Sequence, residues 1–174
     1  MYTDWILKNK ESKVGKTLEE RVVELLTEQN LTVTTAESCT GGLIAAALIN
    51  VPGASEVLNE GYITYSNEAK IRLVGVSSET LERYGAVSSQ TAKEMAEGAA
   101  KTGKADVALS ATGIAGPDGG TEEKPVGLVY IGCFVNGQTT VKKCIFKGNR
   151  MENRLHTVET ALNMLVEALE NLEK

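Results

Sequence analysis

Apolar residues recur every three or four positions in three long segments, the spacing that places them on one face of an α-helix. These segments are residues 16–30, 88–103 and 155–172. The second has an alanine-rich face, which favours close packing on a sheet. The third has a leucine stripe, for which packing on a sheet is favoured and a coiled-coil seam stays open. The apolar run at 43–50 predicts a shorter, buried helix.

Short β-branched or alternating runs predict five strands. They are residues 31–36, 61–65, 107–111, 127–135 and 138–146. Asn136 and Gly137 join the last two strands and predict a tight antiparallel turn, because both residues tolerate positive φ. Ser66 and Asn67 offer capping oxygens for a short helix that carries Lys70. The pattern predicts an α/β fold, namely a single-domain three-layer α/β/α sandwich whose mixed sheet includes a C-terminal β-hairpin.

Composition restricts the class of protein. The chain has 174 residues, 42% of them hydrophobic and 24% charged, which is typical of one globular domain. We assign residues 16–174 to this domain and residues 1–15 to an N-terminal extension. A net charge of −5 argues against nucleic acid as a partner. No apolar run approaches the ~18 residues that span a bilayer, and the start of the chain is unlike a signal peptide.

These features predict a cytoplasmic protein without a membrane partner. The three cysteines form no C-x-x-C pair, and the chain has a single histidine. This pattern favours neither a disulfide framework nor a metal site. We therefore expect no metal and no cofactor.

A turn of small and hydroxyl residues follows the first predicted strand, at residues 35–42. In an open α/β sheet, ligands bind at the carboxyl ends of strands, and free N–H groups at the next helix can bind an oxyanion. Ser38 lies beside these expected donors and is a candidate nucleophile. The alternative is structural, with Ser38 and Thr40 capping the helix. Cys39 is a rival nucleophile, although a cysteine beside a buried strand is more often a small core residue.

A serine nucleophile needs a base that takes its proton. His156 is the only histidine, and its place within an amphipathic helix makes a Ser–His–Asp triad the weaker hypothesis. Lys70 and Tyr65 lie together near a predicted strand-to-helix junction. Desolvation can lower the pKa of a lysine from about 10.4 toward neutrality. A solvated lysine and a tyrosine at a strand edge are the alternative interpretation.

Two further segments are candidates for binding an anion. Residues 110–120 follow a predicted strand and are rich in glycine, so that main-chain N–H groups could contact phosphate or carboxylate. This loop lacks the Gly-Lys-Ser or Gly-Lys-Thr ending of a Walker loop. Lys147, Arg150 and Arg154 concentrate positive charge around the start of the last helix, and arginine suits bidentate phosphate contact. Ordinary surface charge is the alternative.

Five strings of the sequence together resemble the CinA C-terminal domain family, which includes stand-alone nicotinamide-nucleotide amidases of the PncC type. The strings are Thr-Ala-Glu-Ser-Cys-Thr-Gly-Gly at 35–42, Tyr-Ser-Asn-Glu-Ala-Lys at 65–70, Gly-Ala-Val-Ser at 85–88, Thr-Gly-Ile-Ala-Gly-Pro-Asp-Gly-Gly at 112–120 and Lys-Pro-Val-Gly-Leu-Val-Tyr at 124–130. The likeness covers roughly residues 17 to 170. It favours the functional interpretations above over the structural ones.

The resemblance implies hydrolysis of nicotinamide mononucleotide to nicotinate mononucleotide and ammonia, a step of pyridine nucleotide recycling. It makes Ser38 the nucleophile, Lys70 the base and Tyr65 a proton relay, with Thr112 as a further catalytic hydroxyl. It makes Arg150 and Arg154 ligands of the substrate phosphate. We also assign substrate contacts to residues of the same strings, which are Glu37, Thr40, Gly41, Gly42, Gly113 and Gly116.

The sequence departs from the family pattern in two places. Many family members carry an additional N-terminal domain with pyrophosphatase activity, which this sequence lacks, and we expect that activity to be absent. The acidic residue often found between the glycine and the arginine of the basic motif is Asn149 here.

Two other functions stay open. One is a non-catalytic nucleotide-binding or regulatory domain, and the other is an amidase that acts on a different phosphorylated carboxamide. The expected partner is a small phosphorylated nucleotide. The leucine stripe and the N-terminal extension also predict a homo-oligomer, namely a dimer.

Overall fold

The computed structural model describes residues 15–172, so nearly all of the predicted N-terminal extension lies outside the described residues. Within this range, the strands are β1 (Val33–Glu37), β2 (Tyr62–Ile63), β3 (Val107–Gly113), β4 (Leu128–Val135) and β5 (Gln138–Ile145). The α-helices of the same range are α1 (Leu18–Glu28), α2 (Leu43–Ile49), α3 (Asn67–Val74), α4 (Ser78–Tyr84), α5 (Ser89–Gly103) and α6 (Arg150–Leu172). A 3-10 helix covers Ala54–Glu56.

The five strands form one mixed sheet in the order β2-β1-β3-β4-β5. Strand β1 pairs in parallel with β2 and with β3, whereas β4 is antiparallel to both β3 and β5. The predicted mixed sheet and its C-terminal hairpin are confirmed. Because β2, β1 and β3 are parallel, the segments that follow their carboxyl ends meet at one edge of the sheet.

Helices cover both faces of the sheet. Helices α1, α2 and α6 pack around one apolar core, which includes Leu25, Leu109 and Leu162. Helices α3, α4 and α5 pack around a second core, which includes Val74 and Met95. The predicted three-layer α/β/α architecture is confirmed. Within the described residues, no helix is both long enough and apolar enough to cross a membrane.

The leucine stripe of α6 packs against the sheet and α1. Leu155, Leu162, Leu165 and Leu169 are all buried, and α6 contacts β3, β4 and α1. The interpretation as a face packed on the sheet is therefore confirmed. The predicted dimer stays a prediction.

Helices α3 and α5 approach each other most closely at Gly98. A Cβ atom at this position would lie 1.7 Å from the main-chain oxygen of Val74, far inside van der Waals contact. The absence of a side chain at Gly98 therefore sets the distance between the two helices. Helix α3 carries Lys70, so this contact also fixes the position of that lysine.

The structure differs from the predicted elements in two respects. The sequence pattern did not predict α4, whose start is stabilised from a neighbouring helix. The Glu94 carboxylate accepts hydrogen bonds from Ser77 N at 2.8 Å and from Thr80 Oγ1. Strand β2 covers only two residues of the predicted segment 61–65. Its pairing with β1 ends with the bond from Thr64 N to the Glu37 oxygen at 2.8 Å, shortly before Ser66 begins α3.

Candidate active site

The segments that follow β1, β2 and β3 meet at the carboxyl ends of these strands. Together with the loop at 86–87 and the start of α6, they line a cavity of about 210 Å³. The structure brings six of the predicted site residues into its wall. They are Ser38, Tyr65, Lys70, Thr112, Gly113 and Arg150. These residues come from distant parts of the sequence. The parallel order of β2, β1 and β3 brings five of them together, and Arg150 reaches the site from the start of α6.

Ser38 is the first residue after β1, and its N–H donates to the main-chain oxygen of Ala111 at 2.9 Å. This bond continues the ladder between β1 and β3 by one residue, so that the backbone of Ser38 is held by the sheet. The side chain is largely buried, with 9% of the residue exposed. A serine on such a rigid element can be positioned accurately toward a reacting group.

Lys70 projects from the first turn of α3, which begins at Ser66 with a hydrogen bond from Ala69 N to the Ser66 hydroxyl. Although it is a lysine, only 1% of the residue is exposed. Its Nζ lies 3.2 Å from Ser38 Oγ, 2.8 Å from the Thr64 main-chain oxygen and 3.4 Å from that of Tyr65. None of these three acceptors is a carboxylate. Burial lowers the pKa of Lys70 below its ordinary value of 10.5 because it disfavours the charged form.

Tyr65 lies at the mouth of the cavity with 64% of its surface exposed. Its hydroxyl accepts a hydrogen bond from Arg150 Nη2 at 3.4 Å. The contact between Tyr65 and Lys70 runs through the main-chain oxygen of the tyrosine. The relay role of the hydroxyl therefore stays a prediction.

Thr112 and Gly113 end β3 beside Ser38. The Thr112 hydroxyl is buried and donates to the main-chain oxygen of Ala86 at 2.7 Å. This bond fixes Ala86, which lines the same cavity. A Cβ atom at Gly113 would lie 2.6 Å from the Leu128 main-chain oxygen, so the approach of β4 requires a glycine here.

Glu37 is the last residue of β1, and its side chain lies at the N-terminus of α2. Its fully buried carboxylate accepts hydrogen bonds from the N–H groups of Gly42, Ile44 and Ala45 at 3.0, 3.0 and 2.9 Å. The expectation that these N–H groups are free to bind an oxyanion is therefore wrong. The alternative, in which the Ser38 and Thr40 hydroxyls cap the helix, is also wrong, because the acidic side chain satisfies the helix N-terminus.

The turn between Ser38 and α2 depends on its two glycines. Gly41 and Gly42 have φ values of 60° and 97°, in the left-handed region that favours glycine. Thr40 is fully buried in this turn. Thr40, Gly41 and Gly42, which are predicted to contact the substrate, thus determine the conformation of the turn in the structure.

The two arginines differ in their surroundings. Arg154 donates from Nε to the Cys39 main-chain oxygen at 3.0 Å and from Nη2 to that of Thr40 at 2.8 Å. Its guanidinium therefore holds the turn that follows Ser38. Arg150 is exposed at the cavity wall and donates from Nη1 to the Gly116 main-chain oxygen at 2.8 Å. Of the two, Arg150 is the arginine that lines the cavity.

Two asparagines support this region, and sequence reasoning assigned neither role. The Asn149 side-chain oxygen accepts from the N–H groups of Met151 and Glu152 at 2.9 and 3.1 Å, so it caps α6. An aspartate would supply the same oxygen, which explains why the departure from the family pattern preserves the helix start.

Buried Asn153 accepts from Gly148 N at 2.9 Å and donates to the Ala115 main-chain oxygen at 3.0 Å. The sequence offered no signal for Asn153 apart from its place in the basic motif.

The rival catalytic groups lie in unsuitable surroundings. Burial raises the pKa of the Cys39 thiol to about 12, which disfavours the reactive thiolate. His156 is exposed and stacks on Phe146, with ring centroids 5.6 Å apart, so it contributes no base to Ser38. Between residues 15 and 172, no cluster of three or more His, Cys, Asp or Glu side chains could hold a metal ion.

A family model described as the CinA C-terminal domain matches residues 15–169. A "Putative competence-damage inducible protein" of Clostridium beijerinckii is 59% identical over 148 residues, which cover 85% of this chain and 36% of that protein. A "CinA-like protein" of Kosmotoga olearia is 55% identical over 154 residues, covering 88% of this chain and 37% of that protein. The chain thus spans little more than a third of the length of these curated relatives.

Solved structures show the same fold. The competence/damage inducible protein CihA from Agrobacterium tumefaciens has a TM-score of 0.85 and 48% sequence identity, covering 88% of this chain and 93% of that one. A CinA superfamily protein from Escherichia coli has a TM-score of 0.84 and 36% identity, covering 87% of this chain and 88% of that one.

Proposed function

The chain belongs to the CinA C-terminal domain family, and from this premise we propose that it is a serine amidase that hydrolyses the carboxamide of nicotinamide mononucleotide to nicotinate mononucleotide and ammonia. The observation that carries the proposal is the 3.2 Å contact between Lys70 Nζ and Ser38 Oγ inside the cavity. A buried lysine beside a buried serine is suited to nucleophilic catalysis, because desolvation favours the neutral amine that can accept a proton.

The main-chain oxygens around Lys70 orient the amine. A neutral amine has two N–H groups and one lone pair, and a carbonyl oxygen can only accept a hydrogen bond. The Thr64 and Tyr65 oxygens therefore take both N–H groups of neutral Lys70. Its lone pair then faces the Ser38 hydroxyl, which donates its proton.

The reaction follows from this arrangement. Ser38 Oγ bonds to the carboxamide carbon as its proton passes to Lys70, and the carbonyl electrons move onto oxygen. The proton on Lys70 then passes to the amide nitrogen, the C–N bond breaks and ammonia leaves. Water adds to the resulting ester and gives a proton to Lys70. That proton returns to Ser38 Oγ as the C–O bond breaks, which releases the acid.

The proposed preference for a substrate with a phosphate rests on the position of Arg150. This arginine is exposed at the cavity wall next to Tyr65, and a guanidinium is suited to a phosphate. A phosphate bound there would place the rest of a mononucleotide toward Ser38. Positioning by remote groups of a substrate can contribute strongly to the rate of the chemical step.

Ammonia release from nicotinamide mononucleotide tests the proposal, with nicotinamide riboside as the phosphate-free comparison. We expect turnover of the mononucleotide, much weaker turnover of the riboside, and a loss of several orders of magnitude in Ser38→Ala, roughly as removal of a covalent nucleophile gives elsewhere. Ser55→Ala is the matched control, since Ser55 is exposed in the 3-10 helix, and it should keep wild-type activity.

The test also separates the two other candidate functions. A wild-type protein that binds the mononucleotide and releases no ammonia would favour a nucleotide-binding or regulatory domain. Ammonia release from another phosphorylated carboxamide, with none from the mononucleotide, would keep the serine amidase and change its substrate.

A further inference from the structure

The hydrogen-bond ladder between β1 and β3 stops at the nucleophile. Along β3, the N–H of Val107 donates to the Thr32 oxygen on the β1 side at 2.9 Å. Alternate residues of a strand direct their N–H groups to the same neighbour. The N–H groups of the odd-numbered residues of β3 therefore point toward β1. The last bond of this ladder runs from Ser38 N to the Ala111 oxygen at 2.9 Å.

The next N–H group of β3 on this side belongs to Gly113. Its neighbour Ile114 donates in the opposite direction, to the Leu128 oxygen on β4 at 2.8 Å, which confirms the alternation. Beyond Ser38 the chain leaves the sheet, and the Gly113 N–H has no hydrogen-bond partner among residues 15–172. Gly113 lies in the cavity wall together with Ser38 and Lys70.

Gly113 is half-buried in the cavity wall, and an unpaired main-chain N–H is significant there because the N–H groups of a strand inside a sheet are nearly always paired. The donors at the start of α2, where an oxyanion site is expected from the sequence, are occupied by the Glu37 carboxylate. Gly113 instead offers a donor that is fixed by the sheet and directed to the side of β3 on which Ser38 lies.

We propose that the main-chain N–H of Gly113 is an oxyanion-hole donor for the reaction at Ser38. This inference rests on the proposed amidase function. When Ser38 Oγ bonds to the carboxamide carbon, negative charge develops on the carboxamide oxygen, and the Gly113 N–H donates a hydrogen bond to that oxygen. A donor held by the sheet is preorganised, so it needs no rearrangement as the charge forms.

A side-chain substitution at Gly113 cannot test this role, because any Cβ atom would collide with β4. The test is an amide-to-ester replacement, in which glycolic acid takes the place of Gly113. It removes the N–H, and it also weakens the carbonyl of Thr112 as an acceptor, an effect that the matched control reproduces at its own position. The matched control replaces Val107 by 2-hydroxy-3-methylbutanoic acid. This control removes the N–H that bonds to Thr32 at the far end of the same strand.

We expect the Gly113 ester to lower kcat for ammonia release by about 10²–10³-fold with little change in KM, as removal of an oxyanion donor does. The Val107 ester should keep kcat close to that of the unmodified protein. A Gly113 ester whose kcat equals that of the Val107 ester would overturn the inference while the amidase function stands. An unmodified protein without amidase activity would overturn both.

Thermal unfolding gives a readout that does not depend on the substrate. Both esters weaken the carbonyl of the preceding residue, but the Gly113 ester removes no paired N–H, so it should lower the midpoint of unfolding less than the Val107 ester does. The Val107 ester should lower the midpoint, since it loses a ladder hydrogen bond. Equal lowering by the two esters would mean that the Gly113 N–H already has a partner, which contradicts the inference.

Discussion

The Nζ atom of Lys70 lies 2.8 Å from the main-chain oxygen of Thr64, closer than its 3.2 Å distance to Ser38 Oγ. The Thr64 oxygen can only accept a hydrogen bond, so it binds an N–H group of Lys70. The contact with Ser38 Oγ uses another hydrogen-bonding position of the same amine. In the proposed mechanism, this arrangement makes the rate depend on the protonation state of Lys70.

The first prediction concerns pH. Protonated Lys70 cannot take the Ser38 proton, so kcat/KM should fall as the pH decreases through the pKa of Lys70 and should reach a plateau above it. Burial lowers that pKa, and the midpoint should therefore lie below the ordinary lysine value of 10.5. Ammonia release over a pH series measures the profile. A rate that is independent of pH across the whole range below 10.5 would contradict Lys70 as the base.

The second prediction concerns the stability of Lys70→Met. This variant should lose activity by about 10²–10⁴-fold, the usual contribution of a general base. Its stability relative to wild type combines the loss of the 2.8 Å hydrogen bond to the Thr64 oxygen with relief of the buried ammonium, and only the second contribution depends on pH. The buried ammonium penalises folding at pH values below the lowered pKa, and the penalty disappears as the pH rises toward 10.5. The free energy of unfolding of the variant relative to wild type, measured in urea, should therefore decrease with rising pH. A variant that is less stable at pH 6 than at pH 9, relative to wild type, would refute this account.

The third prediction separates the two arginines. Arg150→Gln should reduce the preference for nicotinamide mononucleotide over the riboside, because Arg150 lines the cavity. Arg154→Gln should lower kcat for both substrates and leave their ratio unchanged, because Arg154 holds the turn after Ser38. The ratio of the two kcat/KM values measures the difference. Loss of phosphate preference in Arg154→Gln would assign the phosphate contact to that residue instead.

The fourth prediction concerns Glu37→Gln. The amide nitrogen of glutamine would face an N–H donor at the start of α2, so one donor loses its acceptor. We expect a loss of about 1–3 kcal/mol in the free energy of unfolding, measured by urea denaturation. Glu56→Gln, an exposed change in the 3-10 helix, is the control. Equal stability of the two variants would show that the capping bonds contribute little.

The fifth prediction concerns the cap of α6. Asn149→Ala should lower the free energy of unfolding by about 1 kcal/mol, because it removes the oxygen that accepts from Met151 and Glu152. Asn149→Asp should retain the stability of the wild type. Destabilisation of the same size in both variants would contradict capping as the role of this residue.

Much of the site could be predicted from the sequence, since its parts depend on local patterns. Ser38 follows a β-branched run, Lys70 follows a capping serine, and parallel strands bring such segments to one edge. The hydroxyl, the amine and the glycine-rich loop therefore converge as expected.

The rest depends on contacts that no local pattern encodes. Glu37 lies on a strand, where an acidic residue gives no sign that its carboxylate caps the following helix. Arg154 was expected to face a phosphate because of its charge, whereas it bonds to two main-chain oxygens more than a hundred positions away. Helix α4 has a short amphipathic pattern and depends on Glu94 of a neighbouring helix.

The contact of Gly98 with Val74 has a consequence for random mutagenesis. Every substitution at Gly98 must push the two helices apart, since a Cβ atom there meets a main-chain oxygen at 1.7 Å. The displaced helix is the one that holds Lys70. In a saturation library screened for ammonia release, this position should tolerate no other residue, although it is not among the residues that line the cavity around Ser38. Positions that prove essential in such a screen therefore include residues that hold the helices of the site in place, as well as residues whose side chains line the cavity.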